Sequence, residues 1–131
     1  YGVLDSEKRT FTYVRAGHNP ILYKKANEEI NWLQPKGVAV GMTKGEIFNK
    51  VVEEDTIQLE KGDILVLYTD GITEAQNENE EFYDERRLKN IVKRVKTKSA
   101  EDLRSIIIED VRTFMGDALQ YDDMTLVVIK A

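Results

Sequence analysis

The first third of the chain is built from short runs in which apolar and polar positions alternate. In "RTFTYVRA" (residues 9–16) β-branched and aromatic residues recur at every second position, the period of a strand with one buried face. The polar turn Asp5 to Lys8 would fold that strand back onto "YGVL" as a hairpin. "NPILYKK" and "INWLQ" flank "ANEE" and predict a second hairpin, with Pro20 at a strand's first residue, where it removes no ladder bond. "KGVAVGMTKGE" (36–46) holds three glycines and reads as a loop that takes unusual backbone angles or passes close to another segment. "IFNKVVEEDTIQL" fits one or two strands, and the tight turn Lys61 to Asp63 feeds "ILVLYTD", the most apolar strand of the chain and the expected centre of the sheet.

The period then lengthens. "DERRLKNIVKRVKT" (84–97) places Leu88, Ile91, Val92 and Val95 on one helical face opposite Arg and Lys, with acidic residues at its start. "SAEDLRSIIIEDVRTFMGD" predicts a second helix: Ser99 is the N-cap with Asp102 three residues on, Leu103, Ile106, Ile107, Val111 and Phe114 form the apolar face, and Gly116 is the stop. "MTLVVIK" (124–130) predicts a last strand. The expected class is α+β, antiparallel β-sheets flanked by helices, in a single domain over residues 1–131.

Composition removes several functions. The net charge is −5, from 24 acidic and 19 basic residues, and Lys and Arg are scattered instead of gathered in a stripe, which argues against nucleic acid. Without cysteine there is no disulfide framework, thiolate nucleophile or Cys-based zinc site. No apolar run approaches a membrane span, and "YGVLDSEKRT" lacks the features of a signal peptide, so the chain reads as soluble, without membrane insertion, and compatible with the cytoplasm. The opening "YGVLD" looks like the tail of a strand, which suggests a fragment.

Asp70 follows "LVLYT", and Asp122 with Asp123 precedes "MTLVVI". If these strands neighbour each other antiparallel, the exit of one lies beside the entry of the other, and three carboxylates share one sheet edge. Like charges so close repel and raise one another's pKa unless a cation is present, and an all-oxygen donor set suits Mg²⁺ or Mn²⁺. By spacing alone, "DG" after a strand is more often a plain turn, and "DD" before one a cap or solvated loop.

Three segments together are more specific. "AGHNP" (16–20), "KGDILVLYTDGITEA" (61–75) and "DDMTLVVIK" (122–130), with two helices between the last two, resemble the SpoIIE/RsbU-type branch of the PPM metal-dependent serine/threonine phosphatases across nearly the whole chain. The resemblance implies a β-sandwich flanked by helices with a binuclear Mn²⁺ or Mg²⁺ centre. Asp70 and Asp122 match metal ligands, and Asp123 matches a position that orients Asp122 or the backbone. Gly71 would let the backbone pass close to the metals, and Gly41 matches a glycine near the site. The implied activity is hydrolysis of phosphoserine or phosphothreonine on a regulatory protein in bacterial signalling or stress response.

One part of the pattern is missing. The family's amino-terminal "GD…GHG"-like motif, whose aspartate bridges both metals, has no counterpart: the only histidine is His18, and the only Gly-Asp pairs are Gly62-Asp63 and Gly116-Asp117. The chain therefore looks like the carboxyl-terminal part of such a domain, without its amino-terminal strands and helices. Alone it is expected to be inactive and to self-associate through exposed sheet. The alternative is a catalytically inert phosphatase-like interaction module.

His18 could protonate a leaving oxygen, or its ring could satisfy a local backbone group; with no second histidine and no visible base, the structural role is favoured. Glu74, four residues past Asp70, could contact metal-bound water or stand solvated. A calcium loop starting at Asp70 fails because Ala75 stands where a glycine is needed. A serine hydrolase pairing Ser6, Ser99 or Ser105 with His18 fails because no serine lies in a G-x-S-x-G turn.

Overall fold

The computed structural model describes residues 1–96 and 99–131. In chain order the elements are β1 (Gly2–Asp5), β2 (Thr10–Val14), β3 (Ile21–Lys24), β4 (Ile30–Leu33), α1 (Gly45–Val51), β5 (Glu54–Gln58), β6 (Ile64–Tyr68), α2 (Asp70–Thr73), α3 (Asp84–Arg94), α4 (Ala100–Met115) and β7 (Leu126–Lys130). The strands form two antiparallel sheets, one ordered β1-β2-β5 and the other β4-β3-β6-β7.

The four-stranded sheet is the middle layer. Leu22, Ile64, Val66 and Tyr68 point to one side, into a core with Leu88 and Val92 of α3 and Leu103, Ile107 and Val111 of α4. Ile21, Tyr23 and Leu65 point to the other, against Phe11 and Tyr13 of β2. A sheet covered on both faces has no solvent side, so β6 reads as continuous apolar sequence. In β2, by contrast, Phe11 and Tyr13 are buried while Thr12 faces outward, its hydroxyl 2.8 Å from that of Thr56 on β5.

Two charged side chains inside this framework are fully used. Asp63 is buried and accepts from the Tyr23 hydroxyl at 2.6 Å, Ala26 N at 2.8 Å and Glu60 N at 2.9 Å, which locks the turn into β6. Lys24, buried on β3, donates to Val92 O, Lys93 O and Val95 O at 3.2, 3.4 and 3.3 Å and pairs with Glu28 at 3.0 Å. A lysine thereby satisfies carbonyls that the C-terminus of a helix leaves without partners.

Both hairpins form as expected. The first closes through Asp5 Oδ1, which accepts from Glu7 N and Lys8 N at 3.1 and 2.9 Å. Pro20 stands immediately before β3. Ser99 caps α4 by accepting from Asp102 N at 3.0 Å, and Gly116 follows its end with φ of 59°.

Three expectations need correction, and one buried residue was not anticipated. Residues 47–51, expected to be strand, lie in α1, a helix with no buried residue, Glu46 in its first turn and Lys50 in its last. α3 stops at Arg94, earlier than the periodicity suggests; Thr97, included in the expected helix, lies outside the described residues. Ile106 is exposed and Met115 is buried in its place, because the core face of α4 follows the strict i, i+4 row Leu103, Ile107, Val111, Met115. The acidic stretch at 77–85 contains a core residue, Tyr83, fully buried with its hydroxyl donating to Asp110.

Candidate metal centre

The antiparallel pairing of β6 with β7 sets Tyr68 opposite Leu126 and brings the two acidic segments to one end of the sheet. Thr69 continues the ladder: its N–H donates to Thr125 O at 3.1 Å, and its hydroxyl accepts from Thr125 N at 3.0 Å and donates to Asp123 O at 3.1 Å. Asp70 then opens the one-turn helix α2. The backbone at Gly71 lies directly against Asp123, so close that a Cβ there would stand 2.4 Å from Asp123 O. Glycine is required at this position by contact with the other acidic segment.

Asp70 and Asp122 are both exposed, each with Oδ1 accepting from the next residue's N–H, Gly71 N at 3.1 Å and Asp123 N at 2.8 Å. Gly71, Glu74 and Asp122 line one cleft of about 310 Å³. Among the described residues no three His, Asp or Glu side chains gather closely enough to hold a metal ion. The three-carboxylate cluster expected from the sequence is therefore not formed: Asp123 meets the site through its backbone, its carbonyl facing Gly71 and the Thr69 hydroxyl. What is present is two exposed carboxylates and a side-chain-free backbone passage, a donor set that fits part of a hard-cation centre.

The third motif reaches the same end. Leu22 pairs with Val66, so antiparallel β3 begins where β6 ends, and "AGHNP" lies at the rim that carries Asp70. His18 is exposed, with Nδ1 3.0 Å from Asn19 O, the distance of a ring N–H donating to a carbonyl. It lines a different hollow, between the two sheets, with Phe11, Tyr13, Ile21 and Leu67. Gly41 has φ of 88° and is exposed, and a Cβ there would meet nothing within 4 Å. The close approach in that loop belongs to Gly37, where a Cβ would stand 1.7 Å from Arg15 O. Sequence reasoning assigned it to no particular glycine, since spacing cannot say which one a neighbouring strand will touch. Thr69 was also missed; a threonine between strand and "DG" carries no signal apart from the strand pairing it completes.

Comparison with known proteins agrees with this architecture. The model of the Stage II sporulation protein E (SpoIIE) family matches residues 1–131. The chain is 29% identical to phosphoserine phosphatase RsbU of Bacillus subtilis over 131 residues, 99% of this chain and 37% of RsbU, and 28% identical to protein IcfG of Synechocystis sp. over 129 residues, 98% of this chain and 20% of IcfG. The manganese-presoaked phosphatase domain of the cell fate determinant SpoIIE from Bacillus subtilis superimposes with a TM-score of 0.72 at 23% identity, covering 99% of this chain and 54% of that domain. The chain thus spans about half of that solved domain and well under half of the two sequence relatives. With its family matched end to end and its two-sheet fold shared with phosphatase domains, the chain belongs to the SpoIIE family.

Proposed function

We propose that the polypeptide containing this chain hydrolyses phosphoserine or phosphothreonine on a regulatory protein in a bacterial signalling pathway, at a binuclear Mn²⁺ or Mg²⁺ centre to which this chain contributes Asp70 and Asp122. The observation that carries the proposal is the β6–β7 pairing, which sets both carboxylates on one sheet end with Gly71 against Asp123 O. A binuclear centre, when bound, supplies an activated water and neutralises charge on the phosphoryl oxygens.

The chain's own residues hold this geometry. Asp70, at the first position of α2, and Asp122, in the segment leading into β7, offer the oxygen donors, while Thr69 and the Asp123 backbone tie the two segments together. Gly71 keeps the approach free of side chain. His18, turned to a backbone carbonyl, is assigned no proton transfer. No protein nucleophile is required, in keeping with the absence of cysteine.

Two carboxylates hold a hydrated divalent cation weakly, so the chain by itself is expected to be inactive. A segment upstream of Tyr1 would supply a bridging aspartate within about 100 residues, enough to complete a domain of ordinary size. A second reading, a catalytically inert phosphatase-like interaction module, is favoured by the lack of a three-ligand cluster among the described residues. Mn²⁺-dependent phosphate release from a phosphoserine peptide separates the two, comparing this chain, an upstream-extended polypeptide and its Asp70→Asn variant. Activity only in the extended form, lost in Asp70→Asn, supports the phosphatase; no release above the metal blank from any form supports the module.

A further inference from the structure

The cleft that holds Asp122 and Gly71 is walled by large apolar side chains that the fold leaves in solvent. Leu119 is 73% exposed, Tyr121 78% and Phe82 52%, above a floor that includes Met115 and Met124. Single exposed apolar residues are ordinary, but three converging on one concavity beside carboxylates mark a binding surface. Both walls are tied to the site. Gln120 Nε2 donates to Asp122 O at 2.8 Å, which fixes the segment carrying Leu119 and Tyr121 to the backbone of a proposed ligand. Phe82 bridges to Gln76, and Tyr83 N donates to Ala75 O at 2.8 Å, which fixes the opposite wall to the end of α2.

We propose that this cleft receives an apolar side chain flanking the phosphorylated residue of the substrate protein, and so selects the phosphosite by its neighbours. The inference rests on the phosphatase reading above. A phosphoryl group at Asp70 and Asp122 would bring its polypeptide across this cleft, because Asp122 and Gly71 form part of the lining. The lining restricts what fits: apart from Asp122, which is assigned to the metal, its one charged side chain is Glu74, so an acidic flank is repelled there and an apolar one gains contact with Phe82, Leu119 and Tyr121.

The test uses the upstream-extended polypeptide with Mn²⁺ and three probes: a phosphoserine peptide with Leu on both sides of the phosphoserine, the same peptide with Glu there, and p-nitrophenyl phosphate. The Leu peptide should exceed the Glu peptide in kcat/KM by about tenfold, the discrimination one apolar contact supplies. Leu119→Ser and Tyr121→Ser, at exposed positions where folding is not at stake, should each lower the ratio of Leu-peptide to p-nitrophenyl phosphate kcat/KM by a similar factor. Ile106→Ser, on α4 and outside the cleft, should leave that ratio unchanged. Turnover of all three probes with no flank preference and no effect of either cleft variant would overturn the inference and leave the phosphatase reading standing; this is also the result if an upstream segment covers the cleft. Turnover of none of the probes by the unmutated polypeptide would overturn both.

Discussion

Gly71 and Asp123, far apart in sequence, are in backbone contact: a Cβ added at Gly71 would stand 2.4 Å from the Asp123 carbonyl oxygen, well inside van der Waals distance. The contact ties the start of α2 to the entry of β7, so the spacing of the two acidic segments is set by main chain. Gly71→Ala must push these segments apart. It should cost about 1–3 kcal/mol of stability, as overpacking does. In the extended polypeptide it should lower phosphatase activity by more than that loss of folded protein explains. Urea unfolding and activity on the same preparation check both; an alanine variant with unchanged midpoint and rate would show that the contact relaxes freely.

Asp70 and Asp122 are exposed and bonded only to neighbouring backbone in the contacts described, so they have little role in stability. Asp70→Asn and Asp122→Asn should change unfolding free energy by no more than about 0.5 kcal/mol. Their effect should fall on metal. Isothermal titration of this chain with Mn²⁺ should give weak binding, on the order of millimolar, consistent with two carboxylates on a hydrated ion, and either substitution should weaken it further. Equal affinity in all three proteins would remove these residues from the centre.

How much of this was legible in the sequence depended on how local each signal was. β2, β6 and α4 announce themselves because their apolar periods, 2, continuous and 3.6, are set by burial on one face, two faces and one stripe. "IFNKV" misled because a short segment with β-branched Ile47 and Val51 around polar Asn49 and Lys50 suits strand and helix alike, and the helix that forms buries none of it. Ile106 misled because three consecutive isoleucines leave the axial rotation of α4 undetermined to within one position. The motif segments placed Asp70, Asp122 and His18 on one rim through strand order, but that Asp122 lines one hollow and His18 another depends on packing, which no periodicity encodes. Lys24 is the clearest case: nothing in "ILYKK" says that its ammonium will close a helix more than sixty residues on.

That lysine makes a sharp test of long-range helix capping. Lys24→Met keeps the aliphatic stem but leaves Val92 O, Lys93 O and Val95 O without their donor and Glu28 without its partner. The loss should be about 2–3 kcal/mol, the scale for bonds to a buried charged donor. It should appear as a lower urea midpoint at unchanged slope. A midpoint within error of the unmutated chain would mean that water replaces the ammonium at no cost.

Alkaline pH probes the tyrosines. Burial, reinforced by hydrogen bonds to Asp55 and Asp63, pushes the phenols of Tyr13 and Tyr23 well above the ordinary value; burial with the Glu85 carboxylate does the same for Tyr68, and burial with the bond to Asp110 for Tyr83. Raised folded-state values mean that the native state holds these protons more tightly than the unfolded chain. Their contribution is complete below the unfolded phenol value of about 10 and declines as pH rises past it toward the folded values. The urea midpoint should therefore fall as pH rises past about 10, with phenolate absorbance from these four residues appearing together with unfolding. Full phenolate absorbance from all six tyrosines while the near-ultraviolet circular dichroism stays native would contradict it.

β1 and β7 end the two sheets on one side of the sandwich. Among the described residues β1 pairs only with β2 and β7 only with β6, while Val3, Leu4 and Val127 on these strands are about half exposed. Leu4 and Ile129 line the same opening between the sheets, of about 410 Å³. A free strand edge offers unpaired N–H and C=O groups to any other strand, and apolar side chains beside it add a favourable burial term. This chain alone should therefore self-associate with rising concentration in sedimentation velocity, through pairing of β7 or β1 with a second copy. Val127→Lys places a charge on the β7 edge without touching the core and should shift the population toward monomer, as edge lysines do in natural sheets. A chain that stays monomeric across the accessible concentration range, with the lysine variant indistinguishable from it, would mean that the edges are protected by their own twist and need no partner strand.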